Sequence, residues 1–324
     1  PQSEADRADE FFELCSESNK MYPQFAAKLL DKTGVDIELD LTGTLYLAFS
    51  ETDSEELRKR YEWQTAAGLA VEQISAGEIR KREPLVSPEV CSGLFFPSDG
   101  QVENRKLVEA LAAYCRTNEI GISEGTSVNS IIVDSGRAVA AESAAGRISA
   151  GHIILAAGAW SSLIAVGGRK LNVPVKPIRG QMISFSSDVG RFRHVIYSHR
   201  GYIVPRADGR VLAGATVEDV GFESSTTEPG LNSLRDAAAE IAPGFAGSRP
   251  SESWAGLRPF AGDGLPVLGD VPGVEDLTIA TGHFRNGILL APLTGKLIAE
   301  RLIDGQRSRY LDIFGPDRFA AAAV

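Results

Sequence analysis

Cysteine is scarce in this chain: Cys15, Cys91 and Cys115 are odd in number and far apart. They build neither a disulfide framework nor a zinc-ligand spacing, which fits a reducing cytosol with the thiols serving as small core hydrophobes. Histidine is nearly as rare, and His152, His194, His199 and His283 make no metal-type cluster, so no metal is expected. Positive charge is in deficit. With 33 Lys and Arg against 43 Asp and Glu, the net charge of −10 argues against nucleic acid or an anionic membrane as partner. No apolar run approaches the roughly 20 residues that span a bilayer. The acidic opening PQSEADRADEFFELC has the character of neither a signal nor a transit peptide, so a soluble, cytoplasmic chain is expected. Also absent are G-x-G-x-x-G, G-x-x-x-x-G-K-[ST] and G-x-S-x-G, the usual marks of dinucleotide, nucleotide and serine-hydrolase sites.

What is present is an ordinary globular composition, 43% hydrophobic and 23% charged, in 324 residues, enough for two domains. The 33 glycines point to tight turns or close backbone approach to a ligand. Apolar spacing predicts helices over Ala8–Asp31, from Ser54 as N-cap, over Asn104–Asn118, Leu231–Ile241 and Asn286–Asp304. Ser75 and Glu78 have the capping-box spacing of a short helix that stops at Pro84. Strands are expected at GTLYLAF, GLFFP, IGIS, SVNSIIV and RAVAAES, and at HIIL before a turn and helix. Val173–Thr216 reads as strand-rich, SESWAGLRPF as a strand and turn, and LTIATG as a last strand. The terminal AAAAV reads as a frayed tail. Helix–strand patterns at both ends and in the middle, with strand-rich blocks between, predict two interleaved domains.

Four stretches carry chemistry. In HIILAAGAWS a buried strand feeds a glycine turn, which suits a dinucleotide at a sheet's C-terminal edge and equally a plain β-to-α turn. In TGHFRNGILL a glycine, a His, an Arg and a second glycine precede a helix, whose free N–H groups can stabilise an anion. In WAGLRPF, Arg258 follows an apolar run and could grip a carboxylate bidentately, against the alternative of a surface ion pair. GYIVPRADGRVLAGAT alternates like a hairpin around ADGR, with Tyr202 either aimed at a substrate or packed in the core.

The set DRADEFF, TGVDIEL, YIVPR, GRVLAGAT, WAGLRP, DGLPVLG and TGHFRNGILLAP spans nearly the whole chain. It resembles the D-amino-acid-oxidase superfamily of FAD-dependent enzymes, and within it the glycine-oxidase subgroup of thiamine biosynthesis. The resemblance implies a mixed α/β fold in which a Rossmann-like FAD domain (1–35, 100–170, 260–324) interleaves with a substrate domain (36–99, 171–259) built on a large mixed or antiparallel sheet. It implies Arg258 on the substrate carboxylate with Tyr202 helping, and Arg285 at the cleft side of the flavin. Cofactor contacts are implied for Val128, Ala157, Gly158, Gly282, His283, Arg285, Asn286, Gly287, Ile288 and Leu289, the last three supporting the flavin's pyrimidine edge.

The implied reaction is oxidative deamination of glycine, sarcosine or a small D-amino acid: hydride passes from Cα to flavin N5, O2 becomes H2O2, and the imine feeds a thiazole or hydrolyses. No strong protein base is needed, so positioning and electrostatics carry the work. A homo-oligomer and a functional link to thiazole synthase are further partners the resemblance allows. Two rivals stand beside it: a sarcosine or D-amino-acid oxidase or dehydrogenase, and a noncatalytic, flavin-free fragment or binding subunit. The family opens on a strand, a G-x-G-x-x-G turn and a helix, and this chain starts after them. Its FAD domain is therefore expected to lack the first βαβ unit, to hold FAD poorly and to expose a sheet edge. Arg200, just before Gly201, is expected to add a cation near the cleft mouth.

Overall fold

A computed structural model describes residues 2–186, 188 and 190–322. Helix α1 (Glu10–Thr33) precedes strand β1 (Thr44–Ala48), helix α2 (Glu51–Ala66), strand β2 (Glu72–Ser75), helix α3 (Ala76–Arg82) and strand β3 (Ser92–Phe96). Helix α4 (Asn104–Thr117) leads to β4 (Val128–Asp134), β5 (Arg137–Ser143), β6 (Gly146–Ser149) and β7 (Ile153–Leu155). A 3-10 turn, Gly158–Leu163, separates these from β8 (Ala165–Val166) and β9 (Arg169–Lys170). Then come β10 (Val175–Phe185), β11 (Val195–Ser198), β12 (Gly201–Pro205), β13 (Val211–Gly214) and helix α5 (Glu228–Ile241). Strands β14 (Glu252–Ala261), β15 (Val267–Asp270) and β16 (Leu277–Thr281) precede helices α6 (Gly287–Ile303) and α7 (Arg309–Ile313).

The fold is mixed α/β. Its largest sheet has eight strands in the order β14-β10-β13-β12-β11-β1-β3-β2, antiparallel except for the parallel pair β1–β11. The alternation of strand residues gives this sheet two different faces. One face sends Leu45, Leu47, Ile183, Ile196, Ile203 and Ala213 into a core closed by Leu231, Leu234, Ala238 and Ile241 of α5. Burying each of the larger side chains contributes about 1.5–3 kcal/mol. The other face carries Tyr46, Tyr197, Tyr202, Met182 and Trp254 instead. Helix α2 covers it only at the β1–β3 end, through Leu57 and Tyr61.

Two smaller sheets, β15-β16-β7 and β6-β5-β4-β8-β9, share a second core of Ile131, Leu155, Val166, Val175, Ala261, Leu277 and Ile279. Helices α1 and α6 pack on each other through Leu14, Leu290, Leu293 and Leu297. Among the described residues β7 pairs with β16 alone, which leaves one side of that strand as a sheet edge with Ile154 47% exposed.

Several local expectations are corrected. Ser50, not Ser54, caps α2: its side chain accepts the Asp53 N–H, so the helix begins one turn earlier. IGIS forms no strand, because it follows the end of α4 with no neighbouring strand to pair with. The stretch after HIILAAG makes only a 3-10 turn, and β2, β6, β8, β9 and β15 are additional short strands. Cys15 is buried but Cys91 is exposed, so the three thiols are not all core residues. The tail expected to fray forms a 3-10 helix over Pro316–Ala322, and residues 323–324 lie outside the described residues. Ser75 does cap α3, accepting the Glu78 N–H at 3.3 Å. No helix among the described residues is long and apolar enough to cross a membrane.

Candidate functional site

The open face of the eight-stranded sheet carries an aromatic row in register. Tyr46 on β1 sits opposite Tyr197 on β11, Tyr197 opposite Tyr202 on β12, and Tyr202 opposite Gly214 on β13. Gly214 faces Met182 on β10, which faces Trp254 on β14. Ring centroids lie 6.1 Å apart for Tyr46–Tyr197 and 5.0 Å for Tyr197–Tyr202. Gly214 is what lets Met182 and Tyr202 meet: a Cβ there would stand 2.2 Å from the Met182 sulfur. Among the described residues the Tyr202 hydroxyl donates only to that sulfur, at 3.5 Å, and a thioether is a weak acceptor. Burial pushes the Tyr202 phenol above its ordinary pKa, while the Arg258 charge pulls it back.

Arg258 lies four residues along β14 from Trp254, hence on the same face. It stands inside the strand, not after it, opposite Ile178, and Pro259 sits opposite Pro177. A proline is tolerated there because β14 is an edge strand. The half-buried Arg258 guanidinium lies flat over Gly180, where any Cβ would fall 2.1 Å from Nη1. Nη1 donates to the Thr216 carbonyl at 3.0 Å. No carboxylate among the described residues is within ion-pair distance of it. Burial lowers its pKa below the ordinary arginine range and nearby Arg285 adds to this, against Tyr202 and Glu4. An arginine stays charged through such a shift, so a cation is held out of water with donors to spare.

Arg285 is near enough to act electrostatically on both Arg258 and Tyr202, but it has its own counter-ion in Glu4. Glu4 is brought there by Asp99, a 2%-exposed carboxylate that accepts the backbone N–H groups of Gln2 and Ser3 at 2.7 and 2.9 Å. Arg200 is corrected: it sits at the β11–β12 hairpin and pairs with Glu240 of α5 at 2.6 Å, on the covered side of the sheet.

The glycine turns converge elsewhere at the same corner. Strands β7 and β16 run parallel, so their C-terminal ends deliver Ala157–Gly158 and Gly282–Leu289 to one edge. The Thr281 hydroxyl ties the two turns by donating to the Gly158 carbonyl at 2.9 Å, and Ser161 donates to Thr281. Gly158 has φ +54° and Gly282 φ +74°, and a Cβ on Gly282 would meet Val267, Ala261 and Leu265 at 3.1–3.2 Å. Between the turns and α6, Phe284 holds φ +47° against the edge of Phe260, a conformation that costs a bulky residue about 1–3 kcal/mol. His283 makes a 3.1 Å bond to Thr294 and is held neutral, its pKa pushed down by burial to about 4.

Asn286 makes no side-chain capping bond to α6, so the first-turn N–H groups of Gly287, Ile288 and Leu289 have no side chain to satisfy them. Carbonyls of the same turn are occupied: Ile288 accepts from Tyr22 and Leu289 from Ser18, both on α1. Free donors, a positive helix end and a nearby guanidinium fit a ligand edge that accepts hydrogen bonds and gains negative charge. Val128 starts β4 and packs against the second core, the one that also takes Leu155 and Ala157.

The structure thus brings Arg258 and Tyr202 together, and Arg285 with Glu4 beside them. It gathers Ala157, Gly158, Gly282, His283 and the α6 start at one strand edge. Sequence reasoning missed Glu4, Asp99, Tyr46, Tyr197, Gly180 and Thr216. The two extra tyrosines had a signal in the alternation of TLYLA and VIYS; Asp99 and Glu4 had none, since Asp99 acts across about a hundred residues and Glu4 on Arg285 across 281.

Residues 1–301 match the family model DAO, FAD dependent oxidoreductase. The chain is 34% identical over 319 residues to a glycine oxidase of Bacillus licheniformis, covering 98% of this chain and 84% of that one. It is 32% identical over 314 residues to a bifunctional protein ThiO/ThiG of Trichormus variabilis, covering 96% of this chain and 47% of that one. The crystal structure of glycine oxidase from Geobacillus kaustophilus superposes with a TM-score of 0.89 at 31% identity, over 97% of this chain and 85% of that one.

Proposed function

The chain belongs to the DAO family of FAD-dependent oxidoreductases, and on that premise we propose that this amino acid oxidase deaminates glycine or a similarly small amino acid. The observation that carries the reading is Arg258, a half-buried guanidinium with no counter-ion among the described residues, beside the Tyr202 phenol on an aromatic face. A cation kept out of water and short of a partner is matched by a substrate carboxylate, which takes two parallel N–H bonds from a planar fork. Tyr202, kept protonated by burial, adds a donor. Arg285 is neutralised by Glu4 and tunes the field. The tyrosines and Trp254 line a shallow wall suited to a substrate with little or no side chain.

Bound FAD supplies the two-electron acceptor, returned to its oxidised form by O2 with release of H2O2. The residues that would hold it are the Ala157–Gly158 turn, Gly282, His283, Arg285 and Asn286, and the Gly287–Leu289 N–H groups, with Val128 on the adenine side. The free donors at the start of α6, and Gly287 as its first residue, fit a ring edge that gains negative charge. Neutral His283 brings no competing charge to this corner. In this reading the eight-stranded sheet serves the substrate and the smaller sheets with α1 and α6 serve the cofactor. The likeness to ThiO/ThiG proteins supports a role of the imine product in thiazole synthesis and a working link to a thiazole synthase.

A peroxide assay on glycine, sarcosine and small D-amino acids tests the reading. Turnover is expected with at least one of them. Arg258→Ala should lower kcat/KM by about 30-fold to several thousandfold, since losing one partner of a desolvated charge pair costs about 2–5 kcal/mol, with FAD content unchanged. Full activity in that variant would refute the role of Arg258.

A further inference from the structure

Among the described residues the Arg258 side chain makes a single hydrogen bond, to the carbonyl of Thr216, so whatever fixes Thr216 fixes the guanidinium. Thr216 lies in the segment between β13 and α5, and its hydroxyl accepts the Gln181 N–H at 2.8 Å and donates to Glu218 Oε1. The same Glu218 oxygen accepts from Gln181 Nε2 at 2.8 Å, and Oε2 accepts from Arg179 Nη2 at 2.5 Å. Backbone bonds between Arg179 and Glu218, at 2.8 and 3.0 Å, add a two-residue ladder. Arg179 is 4% exposed and Gln181 wholly buried, so this polar knot sits in a low-dielectric place where each bond counts. Arg179 Nη1 also reaches the Ser225 carbonyl, and Gln181 Oε1 accepts the Thr227 N–H. Both ends of the segment are thereby pinned to β10. Burial opposes the Glu218 charge, but its bonds to Arg179, Thr216 and Gln181 prevail and hold its pKa below the ordinary glutamate value.

We propose that Glu218 is a positioning residue for substrate: through Thr216 it holds the Arg258 guanidinium flat on Gly180, with its remaining donors turned to the carboxylate. This rests on the reading of Arg258 as the carboxylate anchor. Glu218→Gln is nearly the same shape, yet its amide would turn a donor toward the donors of Arg179 or of Thr216 and Gln181. The knot opens and the guanidinium is free to tilt. Substrate grip weakens while the catalytic groups stay in place.

The test uses the full-length, FAD-loaded protein, with acetate as a carboxylate-only probe and methylamine as an amine-only probe, each titrated by the change in flavin absorbance. Glu218→Gln is expected to weaken acetate about tenfold and leave methylamine unchanged. KM for glycine should rise about tenfold with kcat within twofold. Thr216→Val should behave as Glu218→Gln does, and Thr216→Ser as the parent; this pair carries the test if Glu218→Gln does not fold. Unchanged acetate binding in Glu218→Gln and Thr216→Val, or equal weakening of both probes, overturns the inference. If Arg258→Ala loses acetate while those variants do not, the inference alone falls. If Arg258→Ala still binds acetate as the parent does, the anchor reading falls and the inference with it.

Discussion

Burial holds the His283 imidazole neutral, with a pKa of about 4 against 6.5 in an unfolded chain. As pH falls, the unfolded chain therefore takes up this proton first. The stability His283 confers is complete above about pH 6.5 and is lost between there and about pH 4. At pH 5 the loss amounts to about 2 kcal/mol. His283→Gln keeps a partner for Thr294 and removes the titration, so its urea midpoint should fall less than the parent's between pH 7.5 and 5. Equal falls would contradict the assignment. At this scale Arg258 and Tyr202 were legible, because an arginine among glycines and aromatics is chemically conspicuous. Glu4 was not, because nothing local marks a carboxylate as the counter-ion of an arginine 281 positions away.

Among the elements, α6 and the turn before it depend most on backbone freedom. Gly282 combines φ +74° with three neighbours at 3.1–3.2 Å from any Cβ. Gly282→Ala should cost about 1–3 kcal/mol in a chemical melt and lower the FAD content of the purified protein. A stable variant with full FAD would show that the turn does not shape the cofactor edge. The periodicity of GILLAPLTGKLIAERLI made this helix readable, and TLYLA and LTIAT were readable strands. Capping was less so: Ser50 and Ser54 are both plausible caps by residue type, and only the Asp53 N–H bond decides. Strands of two to four residues, such as β8 and β9, owe their existence to their neighbours and leave no pattern of their own.

For the whole molecule, β10 and β14 matter most. Their ladder runs through ten register pairs, from Val175–Ala261 in the second core to Ile183–Ser253 and Ser184–Glu252 beside the first. Two cores that share strands should melt together, so calorimetry should give one transition whose van't Hoff and calorimetric enthalpies agree. Val175→Ala should lower that single midpoint without splitting it. Two resolved transitions would show that the cores are independent. The sheet order was beyond sequence reading, because parallel partners β1 and β11 lie some 150 residues apart and only the closed fold selects that pairing.

The arginine lying flat on Gly180 also leaves an imprint that other sequences can reveal. Position 180 has no side chain because position 258 has a long one, so the two should covary among homologous chains. Where evolution keeps the arginine it must keep the glycine. Where a lineage has lost the arginine, position 180 is released to drift toward alanine, serine or larger residues. The glycine is then a genetic record of the guanidinium it once made room for.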